Sequence, residues 1–243
     1  MGNINIYDDP VFFDVYAQMD RSRKGLEGAG EWHQMGRLFP DMEGKHVLDL
    51  GCGYGWHSKY AAENGARAVT AIDQSSRMIG EAGKRNADGR ITYRVCALED
   101  YEYPEETFDL VVSNLVLHYV EDLNGIYRKV YRTLKKGGDF LMNIEHPVFT
   151  GSVMEEWIRD EEGNALYWPV DDYFYPGRRE TVFLGEKVVK QHHTLTQILG
   201  GLLKCGFTLT AVEEAYPDPA MLDLPGMKDE MRRPMMLFVK AKK

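Results

Sequence analysis

The segment VLDLGCGYG, residues 47–55, joins a short apolar run to three glycines at alternating positions. The run, which begins at His46, is typical of a buried strand. The glycines permit a positive φ and a close approach of the backbone, so they predict a sharp turn at the carboxyl end of this strand. A helical pattern then runs from Trp56 to Gly65, where the glycine suits a C-cap. The segment therefore predicts a strand, a glycine-rich turn and a helix in direct succession.

The alternation of strand and helix continues to residue 145. Apolar runs predict strands at 68–72, 91–95, 108–113 and 140–145, and helical patterns lie at 76–86, with Ser75 as the N-cap, and 121–134. Helices between the strands imply right-handed crossovers and a mainly parallel sheet. Ligands of such sheets bind beyond the carboxyl ends of the strands. The segments expected around that crevice are 51–55, Asp73, 98–100, 113–118 and 145–146.

The segment 121–134 carries the clearest helical pattern. Its apolar residues form one stripe with a period of about 3.6, namely Leu123, Ile126, Tyr127, Val130 and Leu134. The Lys-Lys-Gly sequence at 135–137 gives the basic last turn and the stop that helix C-termini favour. Further on, a helix at 194–204 precedes strands at 207–213 and 235–240. Because no helix separates these two strands, we expect them to pair antiparallel at an edge of the sheet.

The composition limits both the class of protein and its partners. The 243 residues carry 38 acidic and 29 basic side chains, a formal net charge of −9. Nucleic-acid binders usually present a basic surface, so nucleic acid is not expected as the main partner. The N-terminus lacks the features of a signal peptide, and no apolar run approaches the about 20 residues of a membrane helix. We therefore expect a cytoplasmic protein without a membrane partner.

No metal site or disulfide framework is expected. The three cysteines, Cys52, Cys96 and Cys205, are widely spaced and form no CxxC pair. The Glu145-His146 pair lacks the second histidine of the HExxH zinc motif. The cysteines are therefore interpreted as small buried side chains in a reducing compartment.

The glycine-rich turn alone does not separate nucleoside-binding families. A dinucleotide fingerprint GxGxxG that starts at Gly51 needs a glycine at position 56, where this chain has Trp56. Asp73 follows the turn by about 20 residues, a position from which a carboxylate can accept both ribose hydroxyls. Alternatively, Asp73 is an acidic charge favoured at a helix N-terminus. These features favour a nucleoside ligand without a pyrophosphate over a nicotinamide cofactor.

Taken in order, VLDLGCGYG, Asp73, the ALED sequence at 97–100 and FDLVVSN at 108–114 resemble the motifs of class I S-adenosylmethionine-dependent methyltransferases. Within that superfamily they are most similar to the small-molecule, ubiquinone- and menaquinone-methyltransferase-like (type 11) branch. The resemblance covers residues 44–145. It implies an α/β, Rossmann-like fold with a seven-stranded, mostly parallel sheet and an antiparallel last strand. The residues that follow strand five add an aromatic-rich insertion to this fold.

The resemblance also implies which residues bind S-adenosylmethionine. Asp49, Gly51 and Gly53 would line the methionine end, and the backbone of Asn114 and Leu115 would lie beneath it. Asp73 and Gln74 would hold the ribose and flank the adenine, whose edge would meet Leu98 and Glu99. Tyr16 and Arg21, in the N-terminal segment, would close over the carboxylate of the cofactor.

Three histidines are candidates for a general base, which would assist transfer to a hydroxyl acceptor by about 10²-fold or more. His146 follows the fifth strand, so it should point into the crevice, although a histidine satisfied by the backbone is an equal alternative. His118 follows the fourth strand, where packing or orienting is the commoner role. His192 and His193 are neighbours near a strand end, so at most one of them should face the site.

The insertion at 146–193 is expected to select the substrate. It is rich in aromatic side chains, which suit a lid over an aromatic acceptor: Phe149, Trp157, Tyr167, Trp168, Tyr173, Phe174 and Tyr175. A hairpin is expected around 185–186, and Arg178 and Arg179 could pair with an anionic acceptor. The alternative is that the aromatics form a satellite core or a subunit interface, with the arginines solvated.

The whole chain, 1–243, is therefore interpreted as one methyltransferase domain. It comprises an N-terminal helical segment (1–43), a cofactor-binding core (44–145), the substrate lid (146–193) and a C-terminal helix with a β-hairpin (194–243). The expected function is transfer of a methyl group from S-adenosylmethionine to a small molecule. A noncatalytic S-adenosylmethionine-binding protein and a nicotinamide-dependent oxidoreductase are the alternatives, and a homodimer stays open.

Overall fold

A seven-stranded sheet organises the computed structural model, which describes residues 5–243. The first four residues of the predicted N-terminal segment lie outside this range. In chain order the strands are β1 (His46–Leu50), β2 (Ala68–Asp73), β3 (Ile91–Val95), β4 (Phe108–Asn114), β5 (Leu134–Glu145), β6 (Ile158–Arg159), β7 (Ala165–Tyr167), β8 (Gly177–Phe183), β9 (Glu186–His192), β10 (Thr208–Glu214) and β11 (Met236–Lys242).

The α-helices cover both faces of this sheet. They are α1 (Pro10–Tyr16), α2 (Asp20–Arg23), α3 (Trp32–Leu38), α4 (Trp56–Glu63), α5 (Ser76–Arg85), α6 (Leu123–Thr133), α7 (Pro147–Thr150), α8 (Leu195–Cys205) and α9 (Met227–Glu230). Short 3₁₀ turns lie at Ile6–Asp8, Gly25–Gly28, Leu117–Tyr119 and Pro219–Met221. The predicted cap of α5 is confirmed, because the Ser75 hydroxyl accepts the Met78 N–H at 3.1 Å. No helix formed by residues 5–243 is long and apolar enough to cross a bilayer.

The strand order of the sheet is β3-β2-β1-β4-β5-β11-β10. Strands β1 to β5 pair in parallel, and β11 lies antiparallel between β5 and β10. The predicted α/β, mostly parallel fold and its antiparallel last strand are therefore confirmed. The order reverses between β1 and β4, and the crevice at such a switch point, beyond the carboxyl ends of the strands, is where open parallel sheets bind ligands.

The start of β5 differs from the prediction. The helix α6 ends at Thr133, and β5 begins at once with Leu134, which pairs with Phe108. The basic segment 135–137, predicted as the end of the helix, therefore belongs to the strand. The register shifts after Phe108, and the Lys135 ammonium lies 2.8 Å from the Asp109 carboxylate. A long-range ion pair on the neighbouring strand thus holds the lysine that local periodicity assigned to the helix.

Alternate residues of β1 serve opposite faces of the sheet, as the period of two requires. Leu48 and Leu50 belong to a buried cluster with residues of α6 and α8. Val47 belongs to a second cluster on the other face, which includes Met35 of α3 and Ala61 of α4. Side chains at odd-numbered positions of β1 therefore point toward α3 and α4, which decides where Asp49 lies.

The insertion forms two hairpins and an aromatic cluster. The predicted hairpin around 185–186 is present as β8 and β9. Phe149 and Trp168 stack with ring centroids 5.1 Å apart, Trp157 meets Trp168 edge-on, and the Arg233 guanidinium lies 4.2 Å from the Trp168 ring. Phe149, Trp157 and Trp168 thus form a satellite core with Arg233, the alternative to an aromatic lid, whereas Tyr167, Phe174 and Tyr175 are exposed.

Adjacent leucines of α8 offer a test of this packing. Leu202 is fully buried in the cluster with α6, whereas Leu203 is 56% exposed. We expect Leu202→Ala to lower the free energy of unfolding by about 2–5 kcal/mol, because it removes buried surface and leaves a cavity. The matched change Leu203→Ala should cost no more than about 0.5 kcal/mol. Urea unfolding measures both values, and equal losses would contradict the packing described here.

Candidate active site

The turn after β1 is built from left-handed glycines. Gly51, Gly53 and Gly55 have φ values of +68°, +52° and +79°. The N–H groups of Gly51 and Cys52 both donate to the Ile72 carbonyl at 2.9 Å. A Cβ at position 51 would lie 2.6 Å from the Val116 side chain, so no larger residue fits without movement. The glycine pattern therefore predicted the turn correctly. Glycine is required here because of the positive φ values and because Val116 lies close to the backbone of residue 51.

Asp73, at the end of β2, is tied to the same turn. One carboxylate oxygen accepts the Gly53 N–H at 2.9 Å and the other accepts the Ser75 N–H at 2.8 Å. Burial raises the pKa of Asp73 to about 6, while these two N–H bonds oppose the rise. Each carboxylate oxygen has two lone pairs, so Asp73 can still accept two further hydrogen bonds.

A cavity of about 370 Å³ opens above this turn. All the predicted cofactor-binding residues except Asp49 line it, namely Tyr16, Arg21, Gly51, Gly53, Asp73, Gln74, Leu98, Glu99, Asn114 and Leu115. Of the predicted bases, His118 lines it and His146 and His192 do not. The topology thus brings together residues that are separated by about one hundred positions in the chain.

Asp49 lies beneath the cavity rather than in its wall. Its side chain points toward α4, where the Ser58 hydroxyl donates to the carboxylate at 2.6 Å. Burial raises the pKa of Asp49 to about 6, and the Ser58 hydrogen bond opposes the rise. The expectation that Asp49 lines the methionine end is thus not met, because the alternation along β1 directs this side chain to the other side of the turn.

The N-terminal segment forms the roof of the cavity. Tyr7 and Tyr16 line it, and their rings meet edge-on with centroids 5.3 Å apart. The Asp8 carboxylate accepts from the Ser75 hydroxyl at 2.7 Å and from the Arg77 N–H at 3.2 Å, which anchors the segment to the start of α5. The roof is therefore fixed to the core of the sheet by polar contacts.

Arg21 lines the cavity but is not without a partner. Its guanidinium lies 3.1 Å from the Glu31 carboxylate, which is buried. A guanidinium has five N–H donors, so Arg21 can bind a second carboxylate while it keeps this one.

At the carboxyl end of β4, the backbone adopts an unusual conformation. Leu115 has a φ of +54°, and its N–H donates to the Asn143 carbonyl at 2.9 Å. The Asn143 side chain also donates to the Asn114 amide oxygen at 2.9 Å. Non-glycine residues in this region are uncommon and cluster at functional sites, and here β5 holds the strained segment in place.

His146 and His192 turn away from the cavity, contrary to the expectation for His146. His146 Nδ1 accepts the Val148 N–H at 3.0 Å, and its Nε2 lies 3.1 Å from the Glu214 carboxylate. Neighbouring residues at a strand end point to opposite sides. Glu145 lines the cavity and its neighbour His146 does not.

His192 bridges the insertion instead of facing a substrate. Its Nδ1 lies 2.7 Å from the Thr150 hydroxyl and its Nε2 lies 2.9 Å from the Tyr173 carbonyl. His193 Nε2 lies 2.9 Å from the Val120 carbonyl, so neither member of the pair lines the cavity.

Sequence reasoning placed residue 145 at the crevice but missed the charged group that Glu145 forms there with Lys190 and Glu155. Glu145 and Lys190 line the cavity, and the Lys190 ammonium lies 2.6 Å from Glu145 and 2.8 Å from Glu155. The sequence held one signal for Lys190: it shares the buried face of β9 with Val188 and His192 at a period of two. Glu155 carried no signal, because it lies in an irregular segment.

The expected anion-binding arginines also lie elsewhere. Arg178 is exposed and pairs with Glu180 at 2.6 Å, and Arg179 donates to the carbonyls of Asp172 and Tyr175. Neither lines the cavity. Among residues 5–243, no group of three His, Cys, Asp or Glu side chains is arranged to hold a metal ion.

Comparison with known proteins agrees with this geometry. Residues 48–142 match the family described as "Methyltransferase domain". A Listeria monocytogenes protein whose crystal structure is described as an S-adenosylmethionine-dependent methyltransferase is 47% identical, with a TM-score of 0.86 over 90% of this chain and 99% of that one. The chain belongs to the S-adenosylmethionine-dependent methyltransferases.

Two further relatives support the assignment. The crystal structure of an S-adenosylmethionine-dependent methyltransferase from Mesorhizobium loti is 38% identical, with a TM-score of 0.83 over 90% of this methyltransferase and 100% of that chain. An uncharacterized methyltransferase of Synechocystis is 35% identical over 160 residues, which are 64% of this chain and 67% of that protein. The methyl donor of this methyltransferase is therefore S-adenosylmethionine.

The cavity has features that suit this donor. A Cβ at Gly53 would meet no atom within 4 Å, so the turn leaves open space above its backbone. Asp73 keeps unused lone pairs for two hydroxyl groups, and the buried side chain of Leu98 offers an apolar surface. The residues in place are therefore compatible with a nucleoside that carries an amino acid.

The close approach at Gly51 can be tested in the methyltransferase. Gly51→Ala should lower the free energy of unfolding by more than about 1 kcal/mol, because alanine is strained at positive φ and its Cβ meets Val116. Gly89→Ala is the control, since a Cβ there would meet nothing within 4 Å. Thermal unfolding compares the two, and equal stability of the two variants would argue against the described turn.

Proposed function

We propose that this methyltransferase transfers the methyl group of S-adenosylmethionine to a small-molecule acceptor inside the described cavity. The observation that carries the proposal is that residues from the turn after β1, the ends of β2 and β4 and the N-terminal segment line one cavity of about 370 Å³. Residues 44–145 would then bind the cofactor, while segments 1–43 and 146–193 would cover the acceptor.

The nucleoside would bind along the ends of β2 and β3. In this arrangement Asp73 accepts the two ribose hydroxyls with the lone pairs that Gly53 and Ser75 leave free. Gln74 would flank the adenine ring, and the backbone of Leu98, with Glu99 beside it, would meet the edge of the ring. A carboxylate in a partly dry pocket is a stronger hydrogen-bond acceptor than the same group in water, which would favour the ribose.

The methionine end would bind across the turn. Gly51 and Gly53 leave room for close approach of the chain, and the backbone of Asn114 and Leu115 would lie beneath it. Arg21 would pair with the carboxylate of the cofactor, and Tyr16 would cover it. The strained φ of Leu115 supports this role, because such backbone is held where a ligand is positioned.

The protein would accelerate the reaction mainly by positioning. S-adenosylmethionine supplies an electrophilic methyl group, so the residues need to align the acceptor and to exclude water. The aromatic side chains of Tyr7, Tyr16, Tyr119 and Phe183 line the cavity and would serve that exclusion. A sealed cavity without room for an acceptor would favour the noncatalytic alternative, which turnover measurements distinguish.

We also propose that the enzyme acts in the cytoplasm, since its three cysteines are free and free thiols suit a reducing compartment. The acidic net charge of −9 argues against nucleic acid as the acceptor.

The ribose assignment is tested by calorimetry with S-adenosylhomocysteine. Asp73→Ala should weaken binding by about 1–3 kcal/mol, the usual loss when a polar partner is removed. Asp223→Ala is the matched control, because its side chain is fully exposed and lies outside the cavity. Unchanged affinity in Asp73→Ala would refute the ribose assignment, and no binding to the unmodified enzyme would refute the proposed function.

The pKa of Asp73 predicts how this binding depends on pH. The ionised carboxylate accepts the ribose hydroxyls, and protonation near pH 6 competes with that role. The affinity for S-adenosylhomocysteine should therefore be level above about pH 7 and fall as the pH drops through 6. Asp73→Asn should abolish this fall, whereas Asp49→Asn should retain it, although the pKa of Asp49 is also about 6. The same fall in both variants would exclude Asp73 as its source.

A further inference from the structure

A second polar group lines the cavity beside the proposed cofactor site. Glu145 ends β5, Lys190 lies on β9, and His118 and Tyr119 follow β4. All four line the cavity, and they come from three separate parts of the chain. None of them is needed for the cofactor roles proposed above, so their presence in the same cavity calls for another explanation.

The group is held in a dry environment. Lys190 is 4% exposed, Glu155 7% and Glu145 12%, and the lysine contacts both carboxylates. The rings of Phe149 and Phe183 lie 5.6 Å and 5.7 Å from the ammonium. Buried ions without full compensation destabilise a fold, so a purely structural role for two carboxylates and one lysine is costly.

Three polar atoms of this group have no partner within residues 5–243. They are Oε2 of Glu145, Oε1 of Glu155 and Nδ1 of His118, and the His118 residue is 4% exposed. The other ring nitrogen of His118 lies 3.9 Å from Glu145 Oε1, too far for a hydrogen bond. Buried polar atoms are nearly always satisfied in folded proteins, so a bound molecule is expected to supply a donor here.

The charges favour a particular acceptor. Lys190 is paired with two carboxylates and Arg21 with one, so both cations of the cavity wall have carboxylate partners. The Glu145–Lys190–Glu155 group has one more carboxyl than ammonium groups, and burial raises the pKa of Glu155 to about 7, so near pH 7 the group is neutral or carries one negative charge. In neither state does it offer a free cation to a negatively charged acceptor, whereas an N–H or O–H donor would satisfy Glu145.

We propose that Glu145 binds the N–H or O–H of a neutral methyl acceptor and takes its proton during transfer. Lys190 and Glu155 are positioning residues that hold the carboxylate, and His118 packs beside it. The inference deepens the proposed function and depends on it. It replaces the three predicted histidines with a carboxylate as the general base.

Methyl transfer to an acceptor with an N–H or O–H group forms two bonds and breaks two. The lone pair of the acceptor nitrogen or oxygen forms the new bond to the methyl carbon, and the carbon–sulfur bond of the donor breaks with its electron pair left on sulfur. The proton of the acceptor passes to Oε2 of Glu145. The products are the methylated acceptor, S-adenosylhomocysteine and a protonated Glu145, which then returns the proton to solvent.

The acid–base properties of the two candidates support the carboxylate. Burial, with the nearby charge of Lys190, holds the pKa of His118 well below its usual range, which makes it a weak base. Burial raises the pKa of Glu145, although Lys190 opposes the rise. A base is most effective when its pKa lies near the working pH. The groups that face Glu145 are Lys190, Glu155, His118 and Tyr119, and burial, with the nearby charge of Glu145, raises the pKa of Glu155 to about 7.

The proposal is tested by binding to enzyme loaded with S-adenosylhomocysteine. We expect phenol and aniline to bind more tightly than benzoate, which has the same ring and a negative charge. Glu145→Gln should weaken phenol binding at least five-fold and leave the affinity for S-adenosylhomocysteine unchanged. Glu145→Asp should retain part of the phenol affinity, and Glu156→Gln, at an exposed position, should retain all of it.

The outcomes separate the two proposals. Failure of S-adenosylhomocysteine to bind the unmodified enzyme overturns the proposed function. Two other outcomes overturn only the role of Glu145, provided that S-adenosylhomocysteine binds. Either benzoate binds as tightly as phenol, or Glu145→Gln leaves the affinity for phenol unchanged. Thermal unfolding verifies that each variant is folded, and Glu145→Asp keeps a carboxylate on Lys190 if the glutamine variant is unstable.

A pH profile tests the positioning role of Glu155. Phenol affinity should fall as the pH drops through the pKa of Glu145, because the protonated carboxyl no longer accepts its hydroxyl. In Glu155→Gln the charge of Lys190 acts on Glu145 alone, which lowers the pKa of Glu145. The fall should then move to lower pH. If phenol affinity falls over the same pH range in both proteins, Glu155 has only a structural role.

Discussion

The backbone contact between the first turn and the second strand is the constraint on which the site depends. The Ile72 carbonyl accepts two N–H groups of the turn, and the next residue, Asp73, accepts a third from Gly53. These bonds fix the floor of the cavity relative to the sheet. They require positive φ at the glycines, and the Val116 side chain fills the space where a Cβ of residue 51 would lie.

The carboxylates around this floor differ in their remaining hydrogen-bond capacity. Asp49 is satisfied by Ser58 beneath the turn, and Asp73 is partly satisfied by two backbone N–H groups in the cavity wall. Glu145 is held on one oxygen by Lys190, and its other oxygen has no partner in the part of the chain that the structure describes. The same functional group thus serves the scaffold, the proposed ribose site and the proposed acceptor site.

The cavity is enclosed by segments that the parallel sheet does not supply. The roof comes from the N-terminal segment, which Asp8 anchors at the start of α5. The β8–β9 hairpin contributes Phe183 and Lys190, and the Phe183 ring lies 5.9 Å from that of Phe12 in the roof. The N-terminal roof and the β8–β9 hairpin therefore pack against each other as well as on the core. This packing shields the polar groups of the cavity from water, which strengthens their interactions.

The sequence by itself predicted most strands and helices of the parallel sheet and most of the residues that line the cavity. Local periodicity and turn chemistry act between residues a few positions apart, so β1 to β4, the Ser75 cap and the glycine turn were predictable. The helices between the strands then implied right-handed crossovers and a mainly parallel sheet, whereas the order of the strands is known only from the tertiary structure. The sequence also placed residues 145–146 at the crevice, but it favoured His146, whereas Glu145 is the residue that lines the cavity.

Only the tertiary structure decided which residues form the proposed acceptor site. Glu145, Glu155 and Lys190 meet from distant parts of the chain, and the pairing of buried charges is a contact in space that no local pattern encodes. Likewise, Lys135 at the start of β5 pairs with Asp109 of the neighbouring strand, and Phe149, Trp157 and Trp168 pack around Arg233, a residue from the far end of the chain. The sequence supplies the charged and polar side chains, and long-range packing determines which of them pair with one another and which are left open to a ligand.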